Sequence, residues 1–189
     1  MSGPSSKYIF AALVAVLHTG VLGYMIESRA SILRNGREVV LATVPVDPRD
    51  LMRGDYVVLG YPISQIDFKL IAGAQPASDD IKPVYLTLAP GENGRHVFSR
   101  ASWVPFADTK PEEIMLVGKT LAFNYADSQT VNLTFGIERF YVPEGEGRPI
   151  EEGVREESVD VVVAVDSKGK AQVKSLRLDG SVLYDEPLY

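Results

Sequence analysis

The sequence predicts a mainly β soluble domain, a β-rich α+β unit, preceded by one N-terminal transmembrane helix. Three observations predict it. Residues 8–26 run for nineteen positions without Asp, Glu, Lys or Arg. Beyond them come short β-branched and aromatic runs separated by Gly, Pro and Asp, the pattern of strands joined by turns. The chain of 189 residues is 46% hydrophobic and 23% charged, values of a folded domain rather than a disordered one.

The apolar run reads YIFAALVAVLHTGVLGYMI. As a helix it spans about 28 Å at roughly 1.5 Å per residue, close to the hydrocarbon thickness of a bilayer. Tyr8 and Tyr24 stand near its ends, where amphipathic rings favour the interface, and Lys7 and Arg29 flank it. A cleaved signal peptide is the competing reading, with Val21 and Gly23 at the −3 and −1 positions. There is no A-x-A, and the run exceeds a usual signal core, so an uncleaved signal-anchor is expected. The expected organisation is a short tail (1–7), a transmembrane helix (8–26), a polar juxtamembrane stretch (27–37) and a single β-rich domain (38–189). Counting Lys and Arg on either side would leave the domain in the cytoplasm. The short polar tail, single Lys and immediate apolar run instead resemble an export signal-anchor, and an outward-facing domain is adopted.

Ala11, Ala15, Thr19 and Gly23 recur every four residues along the helix. A small-residue stripe lets two membrane helices approach closely, so another integral membrane protein is an expected partner beside the lipid bilayer itself. Small residues are also common in any membrane helix. His18 lies beside the stripe, where a neutral imidazole bonding a neighbouring helix is the plainest reading.

Strands are expected over 38–44, 56–64, 84–88, 95–104, 120–125, 132–142, 160–166 and 171–178. The last two form the clearest hairpin. Asp166, Ser167, Lys168 and Gly169 separate them, and Gly169 is free to take positive φ. The imperfect alternation of 171–178 suggests a sheet edge. One helix is expected over 149–157, opening with Pro149 and carboxylates in its first turn. Segment 138–160 carries eight acidic and three basic residues. A solvated face explains it, because the spacing of a calcium loop is missing.

Composition also excludes chemistry. There is no cysteine and there are two histidines, one of them in the apolar run. Thiol nucleophiles, disulfides, iron–sulfur clusters and multi-histidine metal sites are therefore out of reach within one chain. No metal and no cofactor are expected. Residues 27–189 hold 18 Lys and Arg against 25 Asp and Glu, a negative field that repels phosphate backbones, so no nucleic acid is expected as a partner. No phosphate loop, dinucleotide fingerprint or G-x-S-x-G elbow is present. Arg95, Arg100, Trp103 and Phe106 form a local basic–aromatic group that could meet anionic headgroups or glycans, although an edge strand with ordinary charges explains it as well.

The most informative stretch is 44–61, VPVDPRDLMRGDYVVLGY. Asp47 can cap a short helical turn that starts at Pro48, with Asp50 reaching back to the cap. Gly54 can end the turn in the left-handed conformation, and Asp55 opens a strand. Both faces of that strand are apolar or aromatic, so it should be central and covered on both sides.

Here the sequence resembles the bacterial GDYXXLXY family. Gly54, Asp55, Tyr56, Leu59 and Tyr61 match every named position of the motif. Pro45, Val46, Asp47, Pro48 and Arg49 resemble its lead-in, and 135–147 (FGIERFYVPEGEG) and the terminal LYDEPLY resemble its later segments. The resemblance covers most of the chain. It implies a membrane-anchored bacterial protein and supplies no activity; with the signal-anchor reading above, the expected location is a single pass in the bacterial inner (plasma) membrane with the C-terminal domain in the periplasm. The motif residues Asp47, Pro48, Arg49, Gly54, Asp55, Tyr56, Leu59 and Tyr61 are candidates for structural or binding roles. No catalytic residue is assigned. Gly, Asp and aromatic clusters commonly mark turns and cores.

Two functions remain from the sequence. The first is a non-enzymatic interaction or assembly module working with another membrane protein. The alternative is an exported hydrolase, carboxylate or Ser/Lys based. Arg53-Gly54-Asp55 followed by Tyr56-Val57-Val58 is similar to a box of type I signal peptidases. Those enzymes need a serine followed by Met-x-Pro and a lysine before the box. Ser28 and Ser31 lack the first, and Lys69 follows the box.

Overall fold

The computed structural model describes residues 4–45, 56–74, 81–121, 129–141, 150, 153, 154, 156 and 159–188. Helix α1 runs unbroken over Pro4–Asn35. It is long and apolar enough to cross a membrane, and it is exposed on every side from Lys7 to Glu27. Phe10 is 69% exposed and Leu17 65%, which only an apolar solvent or a partner helix would favour. The last turns behave differently. Ala30, Ile32 and Leu33 are buried, and Ile32 and Leu33 cluster with Ala164. The stretch expected as a separate juxtamembrane segment is therefore mostly helix. It carries α1 nine residues past Ile26, about 14 Å at the helical rise.

Gly36 makes the corner. Its N–H donates to the Ile32 carbonyl at 2.8 Å. A Cβ there would sit 2.5 Å from that carbonyl and 2.9 Å from Val165 N. Only a residue without a side chain lets the helix end press this closely against a strand.

Among the described residues twelve strands follow: β1 Arg37–Ala42, β2 Tyr56–Val58, β3 Gln65–Asp67, β4 Ile71–Ala72, β5 Pro83–Pro90, β6 His96–Ser102, β7 Ile114–Thr120, β8 Thr130–Thr134, β9 Arg139–Tyr141, β10 Val159–Val165, β11 Ala171–Leu178 and β12 Ser181–Asp185. They form a four-stranded sheet (β1-β10-β11-β12), a six-stranded sheet (β3-β8-β7-β5-β6-β4) and a two-stranded ribbon (β2-β9). All pairings are antiparallel except β4 with β6. One core serves all three. Val39, Leu41, Val161 and Val163 from the first sheet meet Leu86, Leu88 and Leu116 from the second and Val57 and Phe140 from the ribbon. Each such side chain contributes about 1.5–3 kcal/mol on leaving water.

Strand β10 is buried along nearly its whole length. Its odd positions face the shared core, while Ala164 faces α1. That double cover explains the apolar run VVVAV that follows Asp160.

The structure corrects several expectations. Of the strand expected over 120–125, Thr120 ends β7 and Leu121 is not in a strand, while 122–125 lie outside the described residues. Strand 132–142 divides into β8 and β9, because Gly136 takes φ +80° and the Glu138 carboxylate accepts the Phe135 and Gly136 N–H groups. The strand expected over 56–64 stops at Val58, and Pro62 opens a 3-10 turn. It is not central. Val57, Leu59 and Tyr61 are buried, while Tyr56, Val58 and Gly60 are half-exposed. Strands β3, β4 and β12 had no clear alternation to announce them.

Strand β11 is interior rather than an edge, since β12 pairs along its outer side. Its irregular pattern comes from a bulge at Lys174, which sets Ser175 against Val162 and Val173 against Val163. Val173 and Leu176, three apart, then both reach the core. The hairpin turn is as expected. Gly169 has φ +80°, and Asp166 Oδ1 accepts the Lys168 and Lys170 N–H groups at 2.9 and 2.8 Å. Of the helix expected over 149–157, Ile150, Gly153 and Val154 are helical, and Ile150 and Val154 pack into the core.

Candidate functional site

The three segments that carried the resemblance meet in one seam. Tyr61 is 2% exposed, and its hydroxyl donates to the Ile137 carbonyl at 2.8 Å. The Leu59 N–H donates to the Glu138 carbonyl, also at 2.8 Å. Tyr56 lies against Tyr141 across β2 and β9, ring centroids 5.8 Å apart, with the Arg139 guanidinium 5.6 Å above the Tyr56 ring. Tyr184, from the terminal segment, packs edge-on against Phe140 at 5.0 Å. Gly60 accepts from Val44 N–H at 3.0 Å, which ties the lead-in to the motif. Sequence reasoning found these segments one at a time. Their contacts with one another were invisible to it, because nothing in either segment specifies its partner.

Burial, and then the negative Glu138 beside it, push the Tyr61 phenol well above its usual 10. The hydroxyl therefore stays protonated at neutral pH and acts as a donor to Ile137. Leu59 and Tyr61 are core residues, and Tyr56 sits half-buried at the ribbon's surface. Asp47, Pro48, Arg49, Gly54 and Asp55 lie outside the described residues, as does the turn expected there.

The small-residue stripe of Ala11, Ala15, Thr19 and Gly23 lies on the exposed part of α1. A Cβ on Gly23 would meet nothing within 4 Å. His18 Nδ1 bonds the Val14 carbonyl of its own helix at 3.0 Å.

The basic–aromatic group is a set of internal pairs. Arg95 pairs with Asp160 at 2.8 Å. Arg100 pairs with Glu113 at 3.1 Å and Asp108 at 3.2 Å and covers the Phe106 ring at 4.4 Å. Trp103 is 8% exposed and packs against Phe68. Glu113 is the hub. Burial favours its neutral form. Bonds from Ser99, the Lys110 N–H and Arg100 oppose that and hold the carboxyl below its usual range. Arg37 closes the network by donating to the Glu113 and Pro111 carbonyls. Arg100 thus ties β6, and Arg37 ties β1, to the loop before β7, while Arg95 is tied to Asp160 of β10.

For the hydrolase reading, Ser28 and Ser31 are half-buried on α1, while Lys69 is exposed in the 3-10 turn Phe68–Leu70. His96 Nδ1 accepts the Val40 N–H at 3.2 Å. Among the described residues no group of three His, Asp or Glu is placed to hold a metal.

Fold and seam together define a class: a β-rich domain carried on one long apolar helix, with β2 and β9 interlocked through a tyrosine-rich motif. The chain belongs to the GDYXXLXY protein family, whose model matches residues 18–176. No curated protein and no solved structure matches it.

Proposed function

We propose that this chain is a signal-anchored, single-pass protein of the bacterial inner membrane. Its C-terminal domain faces the periplasm and works as an interaction or assembly module for another integral membrane protein. The observation that carries this reading is the division of α1 into two parts. Residues from Lys7 to Glu27 offer apolar side chains in all directions, while Ala30, Ile32 and Leu33 are clamped into the sheet. A helix exposed all round needs lipid or a helical partner. A helix locked to its domain passes any displacement of one to the other. The stripe of Ala11, Ala15, Thr19 and Gly23 is the surface suited to a partner helix.

The test is carbonate extraction and protease treatment of spheroplasts, followed by pull-down from detergent-solubilised membranes. The full-length chain should stay in the membrane pellet, and protease added outside should digest the domain. Ala15→Leu with Gly23→Leu should lose the co-purifying membrane protein while the domain's melting point stays unchanged. Recovery of a soluble chain starting beyond Gly23 would overturn the reading.

A further inference from the structure

At the seam between the two large sheets lies a cleft of about 670 Å³, within the size range of small-molecule sites. Val117 and Phe135 are the large apolar side chains of its lining, and Lys119, Lys168 and Lys170 line it too. None of these three ammonium groups is paired with a carboxylate among the described residues. Among the described lining residues Glu138 is the one carboxylate, and its oxygens already accept two backbone N–H groups.

The lysines come from two separate elements, yet their backbones are fixed. Lys168 and Lys170 flank Gly169 at the β10–β11 turn. The Gly169 carbonyl accepts the Val117 N–H of β7 at 2.9 Å, and Asp166 Oδ1 holds both lysine N–H groups. A Cβ on Gly169 would lie 2.7 Å from Val117 Cγ2 and 3.2 Å from the Met115 carbonyl. The turn is therefore seated on β7, beside Lys119, rather than waving in solvent. Lys119, Lys168 and Lys170 are all exposed, and three like charges around one cleft repel one another. In a domain whose net charge is otherwise negative, the arrangement favours a multiply charged anion that cancels the repulsion.

We propose that this cleft binds a phosphorylated small molecule, with its phosphate oxygens among Lys119, Lys168 and Lys170 and an apolar portion against Val117 and Phe135. Lysine suits this chemistry because each ammonium is a compact charge on a flexible stem that can adapt to a phosphate group. The ligand is either a free phosphoester or a lipid headgroup, since both present the same oxygens.

The test uses the full chain in phosphatidylcholine nanodiscs, titrated by calorimetry with sodium pyrophosphate and, separately, with short-chain dihexanoyl phosphatidic acid. At least one probe should bind, with affinity falling as salt rises. Lys119→Gln, Lys168→Gln and Lys170→Gln should each weaken binding by about fivefold, a typical loss for one charged contact, and the triple variant should abolish it. Lys110→Gln, an exposed lysine outside the cleft, should bind as wild type. Tighter binding of pyrophosphate points to a soluble phosphoester, and tighter binding of the phosphatidic acid to a membrane lipid. The proposal is overturned if neither probe binds, if the triple variant binds as wild type while melting normally, or if Lys110→Gln weakens binding equally.

Discussion

Two single residues give sharp tests of the packing. The Tyr61 hydroxyl reaches the Ile137 carbonyl inside the core, where no water can replace it. Tyr61→Phe keeps the ring and strands the carbonyl, so it should cost about 1–2 kcal/mol and lower the thermal midpoint by a few degrees. An unchanged melt followed by circular dichroism would show that the bond contributes nothing. His96 bears on pH. Burial first, and the Arg37 guanidinium second, lower its pKa below the usual 6.5, and the bond from Val40 N–H needs an unprotonated Nδ1. The unfolded chain therefore takes up the proton first as pH falls. The stabilising contribution is complete above about 6.5 and is lost between there and the lower folded value. Urea midpoints measured from pH 7.5 to 5 should decline for the wild type and decline less for His96→Gln. Parallel curves would remove His96 from the account.

Among the elements, the corner between α1 and β1 is the most exacting. Gly36→Ala places a methyl group 2.5 Å from one backbone atom and 2.9 Å from another, so helix or strand must shift. A loss of about 1–3 kcal/mol is expected, read as a lower urea midpoint, and wild-type stability would show that the close approach is not real. Legibility at this scale varied for physical reasons. The β10–β11 hairpin could be read because Asp166 and Gly169 mark its turn locally. Strand β7 is not announced by the sequence because IMLVGKT buries alternate residues that include Gly118 and Thr120, which carry little hydrophobic signal. The break between β8 and β9 depends on Glu138 folding back onto two N–H groups, and no periodicity announces that. The cleft lysines were legible only as D-S-K-G-K around a turn, because Lys119 joins them through tertiary packing alone.

For the whole molecule, α1 divides into a part that serves the fold and a part that does not. Deleting residues 1–26 removes only exposed side chains among those described and should leave a domain of near wild-type melting behaviour. Deleting 1–36 also removes buried Ala30, Ile32 and Leu33 and uncovers Ala164. That should cost about 2–5 kcal/mol, by the usual measure of lost core groups. Equal stability of the two truncated chains would mean that the helix only touches the sheet and is not part of it.

The sequence by itself determined the apolar helix, the β-rich character, the absence of cysteine chemistry and the family motif, because each is written in local composition or in contiguous residues. Only the tertiary structure decided that α1 runs on into the domain, that Tyr61, Ile137 and Tyr184 belong to one seam, that the Arg95 and Arg100 charges are already paired, and that three lysines share a cleft. These facts depend on contacts between residues up to more than a hundred positions apart. Such contacts form because one shared core buries both sheets at once, and no local pattern encodes which distant partner that burial will select.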